Sequence, residues 1–309
     1  MDLCLPAAVA FSGGADSTAL LMAARELWPG SIHAIHIHHG LQARADDFER
    51  HCQAVCHQLN VPLHRVHVQA RHRSGESPED AARKARYAAL AETAASLGMR
   101  TVLLGHHADD QAETLLLALS RGAGLPGLAA MAESFERHGM NFRRPLLRIA
   151  AKDLREWLAG QEVAVIDDPT NADTAFTRNR IRHVLLPALE TAFPHFRETF
   201  ARSARHAAQA QELLAELAAS DLSLVGDPPV LAELRRLSRA RQANLLRHWL
   251  RTACDASAST AQLEELLDQV EACATRGHAI RLKVGTGRVE LHQGVLRYVT
   301  STQDRPAGA

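Results

Sequence analysis

The chain has 309 residues, with 35 lysines and arginines against 35 aspartates and glutamates, so its formal net charge is zero. That length suggests about two domains, and 46% hydrophobic content is enough for ordinary cores. No apolar run approaches the roughly 18–20 residues of a membrane span, and "MDLCLPAAVAF" carries an acid near its start and no basic n-region, so a cytoplasmic protein without a secretory signal is expected.

Residues 6–11 form a strand by run length, and residues 17–27 a helix with Leu20, Leu21 and Leu27 at helical spacing. Residues 31–38 form a second strand. Its "HAIHIHHG" invites a metal reading, but it alternates as a strand does, and zinc needs three or four convergent ligands, so the strand is preferred. A polar helix follows at about 44–59. Cys52 and Cys56 share one of its faces and, without two further ligands, read as half-buried thiols. The five cysteines are scattered and form no disulfide framework. "VPLHRVHV" (61–68) is a third strand. An alanine-rich helix runs from Ser77 to Leu97, opened by a serine cap, a proline and two first-turn acids. "RTVLLG" (100–105) is a fourth strand, near-continuously apolar and therefore central. A helix at about 108–120 follows.

This alternation predicts an α/β fold, a parallel sheet with helices on both faces. Ligands of such sheets bind beyond the carboxyl ends of the strands, so the turns after Phe11, His38 and Gly105 are expected to share one edge. After Arg121 the pattern changes. "GAGLPGL" is a loop, 142–147 a short strand, 151–160 a helix and "DDPTN" (167–171) a turn. Residues 180–219 are helical, broken by Pro187 and Pro194; "VGDPP" (225–229) is a loop; 230–251 and 260–274 are helical; 280–300 alternates between glycine turns like a small antiparallel sheet. The expected organisation is a catalytic domain over 1–205 with a helical subdomain at about 122–205, a linker helix or loop at 206–228, a small α+β domain at 229–300 and a disordered tail at 301–309. Between Arg178 and His206, six arginines stand against two glutamates, a basic helical surface in a chain of no net charge.

The turn "SGGADS" (12–17) lies between the first strand and the first helix. Gly13 and Gly14 let backbone amides approach an anion, Ser12 and Ser17 add hydroxyls, and the helix aims its first-turn amides at the same space. There is no lysine, and Asp16 would repel a phosphate unless a divalent cation lay between them; Mg²⁺ takes carboxylate and phosphate oxygens together. A plain helix cap after a glycine turn is the competing reading of the spacing.

The turn resembles the Ser-Gly-Gly-x-Asp-Ser loop of the ATP pyrophosphatases, the PP-loop superfamily. That resemblance implies an adenine nucleotide α-hydrolase-like fold, cleavage of ATP between its α and β phosphates, and transfer of AMP to an oxygen. ATP and Mg²⁺ are then expected at Ser12, Gly13, Gly14, Ala15, Asp16 and Ser17. Four further stretches, "HIHHGLQ" (36–42), "GESPEDAARKARYAAL" (75–90), "GHHADDQAETLLLALSRGAGLPGL" (105–128) and "DPTNADTAFTRNRIRHVLLPAL" (168–189), together resemble the tRNA(Ile)-lysidine synthetases over roughly residues 7–200.

The family resemblance implies an ATP-dependent ligase. The wobble cytidine of the CAU-anticodon tRNA(Ile) is adenylated at its C2 oxygen, and free L-lysine then displaces AMP, giving lysidine and changing the codon and amino acid from methionine to isoleucine. Lysine, a diammonium ligand, is expected at Asp109, Asp110 and Glu113, which share a helix face; first-turn acids favouring the helix dipole are the plainer account. Arg86 matches an active-site arginine of the family and is expected to neutralise developing charge. His106 is expected to orient phosphate or cytidine, and Asp110 or Glu113 to take the lysine proton. Asn171, Arg178, Asn179 and Arg182 match the family's "RNxxR" stretch and are expected to close over nucleotide or tRNA, with Arg202 and Arg205 contacting tRNA phosphates. Residues 229–300 are assigned to tRNA recognition by position in the family. Longer members carry a third domain, whereas this chain ends soon after Tyr298, as a short or truncated form. No membrane partner is expected, and a homodimer is compatible with the reading. The nearest rival is PP-loop tRNA cytidine thiolation, disfavoured because such enzymes use paired Cys-x-x-Cys clusters and this chain has only Cys52-x₃-Cys56. A silent RNA- or nucleotide-binding module would have no need of acids facing an anionic ligand.

Overall fold

The structure, a computed structural model, describes residues 3–38, 45–68, 78–273 and 279–300. The expected Ser77 cap, the part of "HIHHGLQ" after His38 and the tail at 301–309 lie outside the described residues. The chain divides into two compact units, Met1–Ala207 and Ala208–Ala309.

The first unit begins β1 (Ala7–Ala10), α1 (Ala15–Leu27), β2 (Ile32–His38), α2 (Ala45–Leu59), β3 (Leu63–His67), α3 (Pro78–Ser96), β4 (Thr101–Leu103) and α4 (Ala108–Ser120). A single helical turn, α5 (Leu125–Leu128), precedes a hairpin of β5 (Ser134–Arg137) and β6 (Met140–Arg143), then α6 (Ala151–Ala159). A 3₁₀ turn (Pro169–Ala172), α7 (Thr177–Arg180), a π-helical turn (Ile181–Leu185) and α8 (Leu186–Ala192) lead into α9 (Phe196–Val225), within which the boundary between the units falls.

The sheet order is β3-β2-β1-β4-β6-β5, parallel throughout except for β5. Val9 on β1 is in register with Ala34 on one side and Leu103 on the other. The winding therefore reverses between β1 and β4, and in open α/β sheets that switch point opens a ligand crevice beyond the strand ends. Both faces are covered. Ala7 and Val9 pack with Leu20, Leu21, Val55, Cys56 and Leu154 from α1, α2 and α6. Ala8, one residue out of phase, packs on the other face with Tyr87, Leu90, Val102 and Phe142. Burial on both faces is why β1 and β4 read as continuous apolar runs.

The later part of this unit departs from expectation in three places. "GAGLPGL" contains a helical turn, with Gly124 as its N-cap and a proline in its first turn. The strand expected at 142–147 ends at Arg143 and is the second arm of a hairpin; the first arm, "SFER", alternates over too few residues to be visible in sequence. Pro187 does not interrupt the helical run but lies in the first turn of α8, directly after the π-helical turn Ile181–Leu185.

In the second unit the helix expected over 230–251 is divided into α10 (Leu231–Leu234) and α11 (Arg239–Ala253), the latter capped by Ser238. α12 (Thr260–Ala272) follows, then an antiparallel meander of β7 (Arg281–Val284), β8 (Gly287–His292) and β9 (Val295–Thr300). Leu245, Trp249, Leu263 and Leu266 form the core with Val284, Val289 and Leu296 of the sheet. Among the described residues no helix is long and apolar enough to cross a membrane.

Phe142 is fully buried, with ring centroids 5.0 Å from Tyr87 and 5.3 Å from Phe135. Phe142→Ala should lower the stability of the first unit by about 3–5 kcal/mol, read as a shift of its transition in urea unfolding.

Candidate active site

The turn after β1 is held from beneath. Gly13 has φ +84°, and a Cβ there would lie 2.9 Å from His51 Cδ2 and 3.1 Å from Cys52 Sγ, so only glycine fits. The Gly13 carbonyl accepts from Ile166 N at 3.1 Å, and the Gly14 carbonyl from Thr18 Oγ1 at 2.9 Å. His36 Nδ1 donates to the Phe11 carbonyl at 2.9 Å. Ser17 Oγ accepts from Ser12 N at 3.2 Å and donates to the Gly14 carbonyl at 3.0 Å, so this hydroxyl braces the turn. Ser12 is exposed, with its hydroxyl 3.0 Å from that of Ser17. Gly14 is the N-cap of α1 and has no side chain to satisfy the first-turn amides of Ala15, Asp16 and Ser17, which have no intrahelical acceptor. A ligand anion suits that position.

The turn after β4 packs directly on the first. A Cβ on Gly105 would sit 3.2 Å from Asp16 C, Asp16 O and Ser17 N, so the two backbones touch. His107 then caps α4 in a reciprocal box: Asp110 N donates to His107 Nδ1 at 3.3 Å, and His107 N donates to Asp110 Oδ2 at 3.1 Å. Because Nδ1 accepts, the ring proton is on Nε2, which lies 3.5 Å from both Asp16 Oδ2 and Asp110 Oδ2. Burial opposes a charged His107, but the bond to Asp16 and the charges of Asp110, Asp16 and Asp109 prevail and raise its pKa. Burial likewise opposes a charged Asp16, yet His107, with Arg155 and Arg182 further off, holds its carboxyl below the usual range. Asp16 Oδ1 is buried and has no hydrogen-bond partner. An ionised, partly exposed carboxylate with one buried, unpartnered oxygen, beside first-turn amides that suit an anion, is a donor set that a hard divalent cation takes, so the residues present fit Mg²⁺.

The three acids expected to hold lysine lie together at this edge, each carrying arginine. Glu113 is fully buried and takes Arg178 Nε on Oε2 at 2.6 Å and Arg182 on both oxygens, at 2.6 and 3.1 Å. Asp110 Oδ1 accepts from Arg178 at 3.4 Å and from Arg182 at 3.2 Å. Asp109 accepts from Arg197 at 2.8 Å and from Ala151 N at 2.8 Å. Burial opposes its ionisation, but those two donors keep its pKa lowered. Arg178, Arg182 and Arg197, read in sequence as part of a phosphate-facing run, thus carry ion pairs to the α4 carboxylates. Asn179 is buried and ties the preceding loop, donating to the Thr170 and Asp173 carbonyls at 2.8 Å each. Arg202 and Arg205 are exposed on α9.

His106 lies against a basic wall. Arg144, itself buried, donates from Nε to His106 Nδ1 at 3.3 Å and from its guanidinium to the Ala132 carbonyl at 2.6 Å. Burial first, then the charges of Arg144, Arg86, Arg178 and Arg83, push the imidazole down to about 3. His106 is therefore a neutral ring whose remaining proton is on Nε2, a hydrogen-bond donor and not a base. Arg86 is exposed on α3, its guanidinium 5.9 Å from the Tyr87 ring centre. Arg144, Arg155 and the capping role of His107 were not legible in sequence. "NFRRPLL" gives no sign that its second arginine turns inward, and histidine is not among the usual cap residues.

The folded His106 stays neutral down to about 3, while the unfolded ring takes a proton near its ordinary 6.5. The unfolded state binds more protons in that window, so this contribution is whole above pH 6.5 and falls as pH drops, by up to about 1.4 kcal/mol per unit. His106→Asn should flatten the dependence of unfolding free energy between pH 6 and 4, measured by denaturant titration of both proteins across that range.

Residues 6–189 match the family described as PP-loop domain, and residues 230–298 the family described as TilS substrate binding domain. The chain is 64% identical over 294 residues to a protein of Polaromonas naphthalenivorans named tRNA(Ile)-lysidine synthase, covering 95% of this chain and 89% of that protein. It is 43% identical to the protein of that name from Burkholderia pseudomallei, covering 93% of this chain and 60% of the relative's length. Among solved structures it is similar in fold to the U34-tRNA thiolase NcsA from Methanococcus maripaludis, solved with its [4Fe-4S] cluster, at TM-score 0.56 and 16% identity, covering 65% of this chain and 71% of that one. With a PP-loop domain, a TilS substrate binding domain and such relatives, the chain belongs to the tRNA(Ile)-lysidine synthase family.

Proposed function

We propose that this chain joins free L-lysine to C2 of the wobble cytidine of the CAU-anticodon tRNA(Ile), consuming ATP and releasing AMP and pyrophosphate. The observation that carries the reading is the contact of two turns at the switch point. One offers first-turn amides and a half-satisfied Asp16; the other presents His106, His107, Asp109, Asp110 and Glu113. The names of the relatives favour the same substrate and reaction.

In this reading the phosphates of ATP lie over Ser12, Gly13, Gly14, Ala15 and Ser17; Asp16 would hold Mg²⁺, which when bound would supply charge neutralisation for the departing pyrophosphate. The cytidine C2 oxygen attacks the α-phosphorus, the bond to the β-phosphate oxygen breaks, and pyrophosphate leaves. His106, kept neutral by burial and by the charge of Arg144, donates a hydrogen bond to the nucleotide, and Arg86 balances the negative charge that develops. The ε-amine of lysine then attacks C2 and loses a proton while the C2 oxygen departs with AMP. Asp110 suits the proton better than Glu113, because Arg178 and Arg182 occupy only its Oδ1, whereas they occupy both oxygens of Glu113. For lysine to use these carboxylates its ammonium groups exchange with Arg178, Arg182 or Arg197. Arg202 and Arg205 remain the tRNA phosphate contacts, and residues 229–300 the tRNA-selecting part.

Thiolation finds less support. Cys52 and Cys56 belong to the core beneath the phosphate turn, where burial pushes both thiols up to about 12, far from the thiolate that cluster ligation uses.

With ATP and Mg²⁺, the protein should transfer radiolabelled lysine to transcribed CAU-anticodon tRNA(Ile) and not to elongator tRNA(Met). Asp16→Ala should reduce the rate at least about a hundredfold. ATP turnover on the tRNA without lysine incorporation would overturn the lysidine reading.

A further inference from the structure

Beyond the α4 carboxylates, a second cluster of ligating side chains lies at the β2–β3 edge of the sheet. His38 and His67 are register partners in the parallel β2–β3 pair, so both imidazoles emerge on one face, with ring centroids 4.6 Å apart. Helix α2 covers that face and contributes Glu49, whose Oε2 is 3.2 Å from His67 Nε2. One ligand atom from each of His38, Glu49 and His67 can be chosen so that all three lie within 4.8 Å of one another. A tetrahedral zinc ion with bonds of about 2.0–2.2 Å holds its ligand atoms about 3.3–3.5 Å apart. The His67–Glu49 leg, at 3.2 Å, is close to that span, and the three ligand atoms together lie within 4.8 Å of one another.

We propose that His38, Glu49 and His67 bind a borderline divalent metal ion of the zinc class, with a fourth position open to water. The ligand chemistry favours that class: two imidazoles and one carboxylate suit zinc, cobalt(II) or nickel(II), and magnesium or calcium take oxygen sets instead. The outer contacts suit it too. Arg65 donates to Glu49 Oε1 at 2.8 Å, which orients the carboxylate and leaves Oε2 for the ion. Asp46 Oδ1, 3.1 Å from His38 Nε2, adds negative charge beside the site and offsets Arg65. His38 and Glu49 are mostly enclosed, at 11% and 15% side-chain exposure, while His67 at 66% leaves an entry path. The site is separate from the Mg²⁺ position proposed at Asp16. A bound ion would clamp the carboxyl end of β2, two residues beyond the His36 that supports the phosphate turn, to β3 and α2.

The full chain, stripped with chelator, is titrated with Zn²⁺ against a chromophoric competitor. One equivalent should bind more tightly than the background of the other histidines. His38→Ala with His67→Ala should abolish that equivalent, and Glu49→Gln should weaken it at least about tenfold. His33→Ala with His64→Ala, which removes the neighbouring pair whose ring nitrogens are 3.0 Å apart, should leave it unchanged. Co²⁺ added to the unmutated chain gives a readout independent of variant folding: one equivalent should produce the visible absorption of a four-coordinate ion. Zinc binding equally tight in the His38/His67 variant, or no such cobalt absorption, would overturn the site.

Discussion

The contact between Gly105 and the backbone of Asp16 and Ser17 is the constraint on which the site depends. Two turns from adjacent parallel strands meet there with no side chain between them, at a distance where even a methyl group would press on backbone. Because β1 and β4 are the two strands between which the sheet reverses its winding, these are the turns that can face one crevice. The close approach lets His107 reach Asp16 while capping α4 through Asp110. One imidazole thus ties the carboxylate of the phosphate turn to the carboxylates of the next helix.

A second constraint is electrostatic. Glu113 has no exposure, and a buried carboxylate is tolerated only when paired and hydrogen-bonded. Arg178 and Arg182 supply that pairing from a segment more than sixty residues later in the chain, with fork geometry at Glu113. The segment from α7 to the start of α9 is thereby pinned to the sheet edge by charge, alongside the apolar contacts of Ala112, Ile181, Leu186 and Phe196. In the proposed reaction the same carboxylates serve a diammonium substrate, so occupancy by lysine and the position of these arginines are linked.

The alternating elements of the first 120 residues were legible because β1 and β4 are apolar on both faces, β2 alternates as a strand does and each helix keeps its period, so local pattern and tertiary burial agree. The shared edge of the turns after Phe11 and Gly105 followed from parallel topology alone. What sequence could not give is direction of side chains set by distant partners. Arg144 turns inward because His106 and the Ala132 carbonyl await it. Arg197 looked like one more cation on a basic helix and instead holds Asp109. The Ser134–Arg137 strand was invisible because its pairing, rather than its composition, makes it a strand. The histidine-rich second strand read correctly as a strand, yet the register that sets His38 beside His67 needed β3 to be placed.

The central claim is that the two turns form one adenylating site, so that the cytidine oxygen leaves with the nucleotide. A CAU-anticodon tRNA(Ile) carrying ¹⁸O at C2 of the wobble cytidine, reacted with ATP, Mg²⁺ and lysine, tests this most directly, with mass spectrometry of the released nucleotide. The account predicts ¹⁸O in AMP, one label for each lysine joined. Label retained in the tRNA or released in inorganic phosphate would contradict it.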